Sequence, residues 1–318
     1  MKKSTKALLA IGAAIATPII INKVIAKKAQ ERIEQRRAED GADDRRVYDW
    51  EYGDVSYKTA GDETAPPLLL IHGLYPGACS LEWEKAMGHF SDKYHVYALD
   101  LLGFGYSAKP ALEYCSYLYV RLIKDFVEDV IGKKVTAAAS LHSAASLTIC
   151  AALNPEDFEK ILLISPVGLE SNTMLAREED SYLKKVLDSP VAGTSVYNII
   201  CSKKALPEFF EKHGLVGLFD QDELEKFYLA AHSDGANGKH ALAALLAKFF
   251  NTDIKSNLAE LEVPYHIILG EHLPPGGTEI KLWAGIDESY AATVLEGMHL
   301  LPHLEAPEEF VEAVGKLN

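Results

Sequence analysis

The sequence has few cysteines and no motif that would hold a phosphate group or a metal ion. Four cysteines occur in 318 residues, at Cys79, Cys115, Cys150 and Cys201. Their spacing matches no metal-ligand pattern, and no glycine-rich phosphate-binding loop is present. The sequence therefore predicts free thiols, no metal site and no cofactor, and it excludes a disulfide-held scaffold.

Positive charge is scarce outside the N-terminus. Residues 1–38 contain nine Lys or Arg and two Glu, so the net charge of −14 divides into +7 for this segment and −21 for the remainder. A surface that acidic repels the phosphate backbone of nucleic acids. The charge distribution therefore argues against nucleic acid as a partner.

Long apolar runs are missing, with one short exception near the N-terminus. Residues 7–22 carry no charge, and basic residues flank them on both sides. As a helix they cover about 24 Å, less than the ~30 Å hydrocarbon core, but flanking lysines reach out to the headgroups. This pattern predicts a single-pass membrane anchor within a basic segment, residues 1–38. More positive charge follows the run than precedes it, which favours a cytoplasmic body.

Two other interpretations of the N-terminal segment stay open. Its apolar core has the length of a signal peptide, and cleavage would then fall near Val24-Ile25-Ala26. Alternatively, the segment forms a soluble amphipathic arm.

Short apolar runs and helical patterns alternate through residues 39–318. The apolar runs predict buried strands at 66–71, 95–99, 135–139, 161–164, 265–269 and 292–295. Amphipathic spacing predicts helices at 81–90, 117–131, 144–152 and 308–314. The alternation predicts an α/β domain with a doubly wound, mostly parallel sheet.

The alternation stops after Gly168 and returns near residue 265. Residues from about 169 to 240 have mostly helical patterns and are rich in charge. An insert at this point would lie over the carboxyl ends of the strands, where ligands bind in such sheets. The sequence therefore predicts a helical lid after the apolar run at 161–164, which would be the sixth strand of an eight-stranded sheet.

Five segments, in this order, resemble the α/β-hydrolases that cleave esters and carbon–carbon bonds. They are LLLIHGLYPG (68–77), ALDLLGFGYSAKP (98–110), NPEDFEKILLISP (154–166), VPYHIILGEHLPP (263–275) and LLPHLEAPEEF (300–310). The resemblance covers nearly all of residues 48–318. It implies the α/β-hydrolase fold, with an eight-stranded type of sheet, a catalytic triad and an oxyanion hole.

The nucleophile of this family is a serine on a tight strand-to-helix turn flanked by small residues. The resemblance places this turn within residues 135–146, where two registers are open. Centring the turn on Leu141 leaves small residues on both sides, whereas centring it on Ser140 puts His142 where a glycine-sized residue is needed. We favour the register on Leu141.

Leucine occupies the other two triad positions as well. The resemblance puts the catalytic acid at Leu273 and the catalytic histidine at Leu300. Leucine has no nucleophilic oxygen, no titratable nitrogen and no carboxylate. Three leucines at strand ends instead predict an apolar pocket floor. The favoured hypothesis is a non-catalytic relative that binds a small apolar ligand or acts as a scaffold.

A second hypothesis keeps the protein active through displaced residues. Ser140 and His299 directly precede two of the leucines, and Glu271 or Asp100 would supply the acid. The protein would then be a serine hydrolase that acts on a small apolar ester. Against this, a shift of one residue along a strand turns a side chain to the opposite face.

Backbone donors and pocket residues complete the predicted site. The resemblance implies that the backbone N–H groups of Leu74 and His142 face a bound carbonyl oxygen as an oxyanion hole. Four further residues are predicted to line the pocket: His72, Gly73, Tyr75 and His272.

Overall fold

The computed structural model describes residues 2–40, 44–168, 175–272 and 291–316. Two predictions fall partly or wholly on residues outside these ranges. The predicted acid position, Leu273, lies wholly outside them. The predicted lid lies partly outside them, because its first six residues are not described.

The described residues form one sheet of eight strands, which confirms the predicted α/β-hydrolase fold. The strands are β1 (Arg46–Trp50), β2 (Gly53–Ala60), β3 (Pro67–Ile71), β4 (His95–Leu99), β5 (Val135–Ser140), β6 (Phe158–Ile164), β7 (Tyr265–Gly270) and β8 (Ala292–Leu295). Their order is β1-β2-β4-β3-β5-β6-β7-β8. β2 pairs antiparallel with β1 and β4, and all other neighbours are parallel.

The helices lie on both faces of the sheet and between β6 and β7. They are α1 (Lys2–Asp40), α2 (Glu84–Phe90), α3 (Ser116–Phe126), α4 (Leu141–Leu153), α5 (Glu178–Leu187), α6 (Ala192–Ile200), α7 (Ala205–Lys212), α8 (Gln221–Ala231), α9 (Lys239–Leu246), α10 (Lys255–Ala259), α11 (Pro302–Glu305) and α12 (Pro307–Gly315). We call α5–α9 the helical insert. It follows the sixth strand, where the lid was predicted, and its action as a lid stays a prediction.

Side chains of the central strands alternate between two apolar clusters. Leu69 and Ala139 belong to the cluster covered by α3 and α4, which we call the α3/α4 face. Leu68 and Ala138 belong to the cluster covered by α2 and α12, the α2/α12 face. Successive residues of a strand point to opposite sides. Ser140, the last residue of β5, therefore points to the α2/α12 face.

The second half of α1 packs against the helical insert. Ile33 is buried, and the side-chain amide of Asn198 on α6 donates to that of Asn22 at 2.9 Å. The Arg32 guanidinium donates to the Glu225 carboxylate on α8 at 3.1 Å. Arg32 of the basic segment thus pairs with an acidic residue of the helical insert.

The predicted membrane anchor at residues 7–22 is wrong. No helix of the described residues is long and apolar enough to cross a membrane. The uncharged run is short, and Pro18 within α1 removes a backbone hydrogen bond. The predicted single-pass localisation is wrong for the same reason, and the predicted membrane contact through the N-terminus is not supported.

Candidate functional site

The candidate site lies at the turn where β5 passes directly into α4, which we call the elbow. Leu141 is the first residue of α4 and has a φ of 51°, a left-handed conformation that only a few non-glycine residues adopt. Its side chain is 7% exposed and belongs to the α3/α4 face. A Cβ atom added to Gly73 would lie 2.9 Å from Leu141 Cδ1, so the leucine fills the space beside this loop.

Ser140 is held on the other side of the elbow. Its hydroxyl is fully buried and donates to Glu82 Oε1 at 2.5 Å. The same carboxylate accepts from the Gly73 N–H at 2.9 Å and lies 2.9 Å from His303 Nε2. Glu82 and His303 are both 0% exposed, and the His303 ring stacks on Trp83.

The charge state of Glu82 follows from this arrangement. Burial raises the pKa of the carboxyl group, but the hydrogen bonds of His303 and Ser140, together with the electrostatic influence of His303 and His72, outweigh burial and bring the pKa below its usual value. The group is therefore an ionised carboxylate, which only accepts hydrogen bonds. Three donors surround it, from Ser140, Gly73 and His303.

His299 is engaged away from Ser140. Its Nδ1 lies 2.9 Å from Glu305 Oε2, and its backbone N–H donates to the same carboxylate. Its ring centre is 5.4 Å from that of His272, which is exposed beside Glu271. The structure thus brings His299 together with His272 and Glu305, while Ser140 is hydrogen-bonded to Glu82.

Leu300 is partly buried and packs against the same apolar cluster as Leu141. Leu74 also belongs to this cluster. Two of the three predicted leucine positions therefore share one apolar environment. The third, Leu273, lies outside the described residues.

The loop that follows β3 is fixed from three sides. His72 is fully buried, and its Nε2 accepts from the Leu101 N–H at 3.0 Å, so Nδ1 carries the proton that is donated to the Gly73 carbonyl at 2.7 Å. The Ser143 hydroxyl on α4 donates to the His72 carbonyl at 2.7 Å. These contacts place Leu74 next to the start of α4.

Several backbone N–H groups at the elbow have no acceptor within the described part of the chain. Those of Leu74 and of His142, the second residue of α4, are among them. The first N–H groups of a helix have no partner inside the helix, and its N-terminus carries partial positive charge. Negative charge is therefore favoured at this end of α4, and the action of the Leu74 and His142 amides as an oxyanion hole stays a prediction.

Beside the elbow, His142 Nδ1 is buried and makes no hydrogen bond with any described residue. Burial lowers the pKa of His142 to about 4 and outweighs the hydrogen bond of Asn251, so the imidazole is neutral at pH 7. The Tyr75 ring stacks on Phe209 of the helical insert. Tyr75 also lines a cavity of about 10 Å³, room for about one water molecule.

Sequence reasoning missed Glu82 and assigned His303 no part in the site. Glu82 and Glu84 occur two residues apart in one predicted helix, and nothing in the pattern distinguishes the buried carboxylate from the exposed one. Groups of three or more His, Cys, Asp or Glu that could hold a metal ion are not found among the residues with described positions.

Comparison with known proteins extends the likeness over most of the chain. The profile of the Alpha/beta hydrolase family matches residues 68–313. A stretch of 106 residues is 33% identical to a 2-hydroxy-6-oxo-6-(2'-aminophenyl)hexa-2,4-dienoic acid hydrolase of Metapseudomonas resinovorans, and it covers 32% of this chain and 36% of that protein. The chain thus spans about a third of the length of the curated relatives it matches.

Solved structures show the same fold. The chain is similar to a serine hydrolase involved in carbazole degradation, the CarC enzyme, with a TM-score of 0.63, 21% identity, and coverage of 86% of this chain and 97% of that one. It is also similar to carboxylesterase CesB of Bacillus subtilis, with a TM-score of 0.66, 17% identity, and coverage of 92% and 97%.

Proposed function

The chain belongs to the alpha/beta hydrolase family, and from this premise we propose that it is a non-catalytic member that binds a small apolar molecule through a carbonyl or carboxylate oxygen. The observation that carries the proposal is Leu141 at the elbow, with a φ of 51° and a buried side chain. A residue at this point of the fold would have to be the nucleophile, and leucine supplies none.

The chemistry of the ligand follows from the groups around Leu141. The N–H groups of Leu74 and His142 suit one oxygen atom with negative or partial negative charge. The leucine side chains beside them suit an apolar body. Relatives support this class, since one is named for a dienoic acid and another is a carboxylesterase.

The alternative, a serine hydrolase that uses Ser140 and His299, requires the serine hydroxyl to contact the imidazole. Ser140 is instead 0% exposed and donates to Glu82, and His299 is paired with Glu305. A buried hydroxyl that faces the α2/α12 side lies across the elbow from the Leu141 side chain, which belongs to the α3/α4 face. These contacts favour binding over hydrolysis.

The binding test uses the full chain with octanoate and benzoate as probes. A ligand at a hundred times its Kd stabilises the folded state by about 2.7 kcal/mol. For a chain of this size, that raises the melting temperature by roughly 5 °C. Leu141→Asp should abolish the shift because a carboxylate at the elbow repels the probes. Leu153→Asp, at the exposed end of α4, is the matched control and should retain it.

The hydrolysis test uses a fluorophosphonate label and p-nitrophenyl butyrate. We expect neither labelling nor turnover by the wild-type protein, and none by Leu141→Ser, because a serine at the elbow still lacks a base at Leu300. Stoichiometric labelling of the wild type that disappears in Ser140→Ala would refute the proposal and establish the displaced hydrolase.

A further inference from the structure

The buried carboxylate of Glu82 connects the two chain segments that supply the ligand-binding N–H groups. One partner, Gly73, directly precedes Leu74. The other, Ser140, lies two residues before His142. A single side chain thus joins the loop after β3 to the end of β5.

We infer that Glu82 is a positioning residue that sets the spacing between the Leu74 and His142 amides. This inference rests on the proposed function, in which these two amides bind the ligand oxygen. Glu82 itself does not contact the ligand, because it is 0% exposed and lies on the α2/α12 side of the elbow. Its effect on binding passes through the backbone of its two partners.

The carboxylate is itself held in place. The Glu82 N–H donates to the Cys79 carbonyl at 3.0 Å, within a short 3₁₀ turn, Ser80–Trp83. His303 approaches the carboxylate from α11 and stacks on Trp83 with ring centres 3.8 Å apart. Two oxygen atoms with three donors leave little freedom for the carboxylate to move, so both chain segments are fixed relative to the same point.

A glutamate carboxylate accepts from all three partners at once. A glutamine has one acceptor oxygen, and its NH₂ group would face Ser140 or His303, which would then have to turn from donating to accepting. Glu84 offers a matched control. It lies two residues away on α2, is about half exposed, and pairs with Lys58 at 3.3 Å without touching either chain segment.

The experiment compares Glu82→Gln with Glu84→Gln in octanoate titration calorimetry and in hydrogen–deuterium exchange of the full chain. We expect Glu82→Gln to weaken octanoate binding by about tenfold or more and to speed amide exchange at residues 72–75 and 140–143. Glu84→Gln should change neither. Phe90→Leu, in the apolar cluster of the α2/α12 face, lowers stability without touching either segment, so it should bind octanoate as the wild type does.

The inference would be overturned if Glu82→Gln bound octanoate as the wild type does and showed unchanged amide exchange. It would also be overturned if Phe90→Leu weakened binding as much as Glu82→Gln, because Glu82 would then act only through the stability of the fold. If Glu82→Gln fails to fold, Ser140→Ala decides the question, because it removes one of the three hydrogen bonds; unchanged binding and exchange there also overturn the inference. If the wild type binds neither probe, the proposed function fails. In that case, amide exchange at residues 72–75 and 140–143 alone tests whether Glu82 holds the two chain segments in place.

Discussion

The left-handed conformation of Leu141 predicts an inverted order of stability for alanine and glycine at this position. Leu141 has a φ of 51° and is 7% exposed. Replacing a buried leucine with alanine costs about 2–5 kcal/mol in lost burial and cavity formation. Leu141→Ala would keep the left-handed strain as well, whereas Leu141→Gly would relieve it.

The difference in stability between Leu141→Gly and Leu141→Ala comes from two opposing effects. A left-handed backbone costs a non-glycine residue about 1–2 kcal/mol. Glycine, in turn, costs roughly 0.4–1 kcal/mol more than alanine through the entropy of the unfolded chain. The balance makes Leu141→Gly more stable than Leu141→Ala by roughly 1 kcal/mol. Within an ordinary helix the order is reversed.

Urea denaturation of the two variants measures the difference. Ala152, half-buried near the end of α4, is the control, since Ala152→Gly should cost about 0.5–1 kcal/mol as in any helix. A glycine variant at position 141 that unfolds at lower urea than the alanine variant would show that the elbow does not have this conformation. The assignment of Leu141 to the nucleophile position would then be refuted.

Two further predictions concern the helical insert. A Cβ on Gly214, where φ is 83°, would lie 2.1 Å from His299 Cδ2, whereas at Gly217, where φ is 70°, it meets nothing within 4 Å. Gly214→Ala should therefore destabilise the protein more than Gly217→Ala and speed proteolysis of the insert, and equal effects would contradict the contact with His299. The hydrogen bond of Lys203 keeps the pKa of Glu225 below its usual value. Glu225 therefore stabilises the fold above about pH 4.5, and this contribution is lost as the pH falls through the lowered pKa. Glu225→Gln should flatten the fall in unfolding free energy between pH 6 and 3, and an unchanged slope would contradict the ion-pair assignment.

The central strands were predictable because they are buried on both faces and consist of solid apolar runs. The hairpin of β1 and β2 was missed because neither strand is a solid apolar run: β1 is a mostly exposed edge strand, and β2 mixes polar and apolar residues. Helix α4 begins three residues before the predicted helix, at Leu141. The strand runs into the helix without a loop, and no apolar pattern marks that boundary.

The N-terminal segment shows how local pattern misleads. An uncharged run between basic residues has the local form of an anchor, and the sequence contains nothing that points to its contact with the helical insert. Arg32 and Glu225 lie 193 positions apart, so their pairing exists only in the folded chain.

The order of apolar and polar residues was enough to predict the sheet. The residue types alone show that Leu141, Leu273 and Leu300 carry no reactive group. Burial periodicity and side-chain chemistry are local properties, and they can be read without coordinates. The pairing of Ser140 with Glu82, and of Glu82 with His303, was decided by tertiary structure alone. Those contacts depend on which face of the sheet a strand end presents and on which distant turn packs beneath it, and one residue of register reverses both.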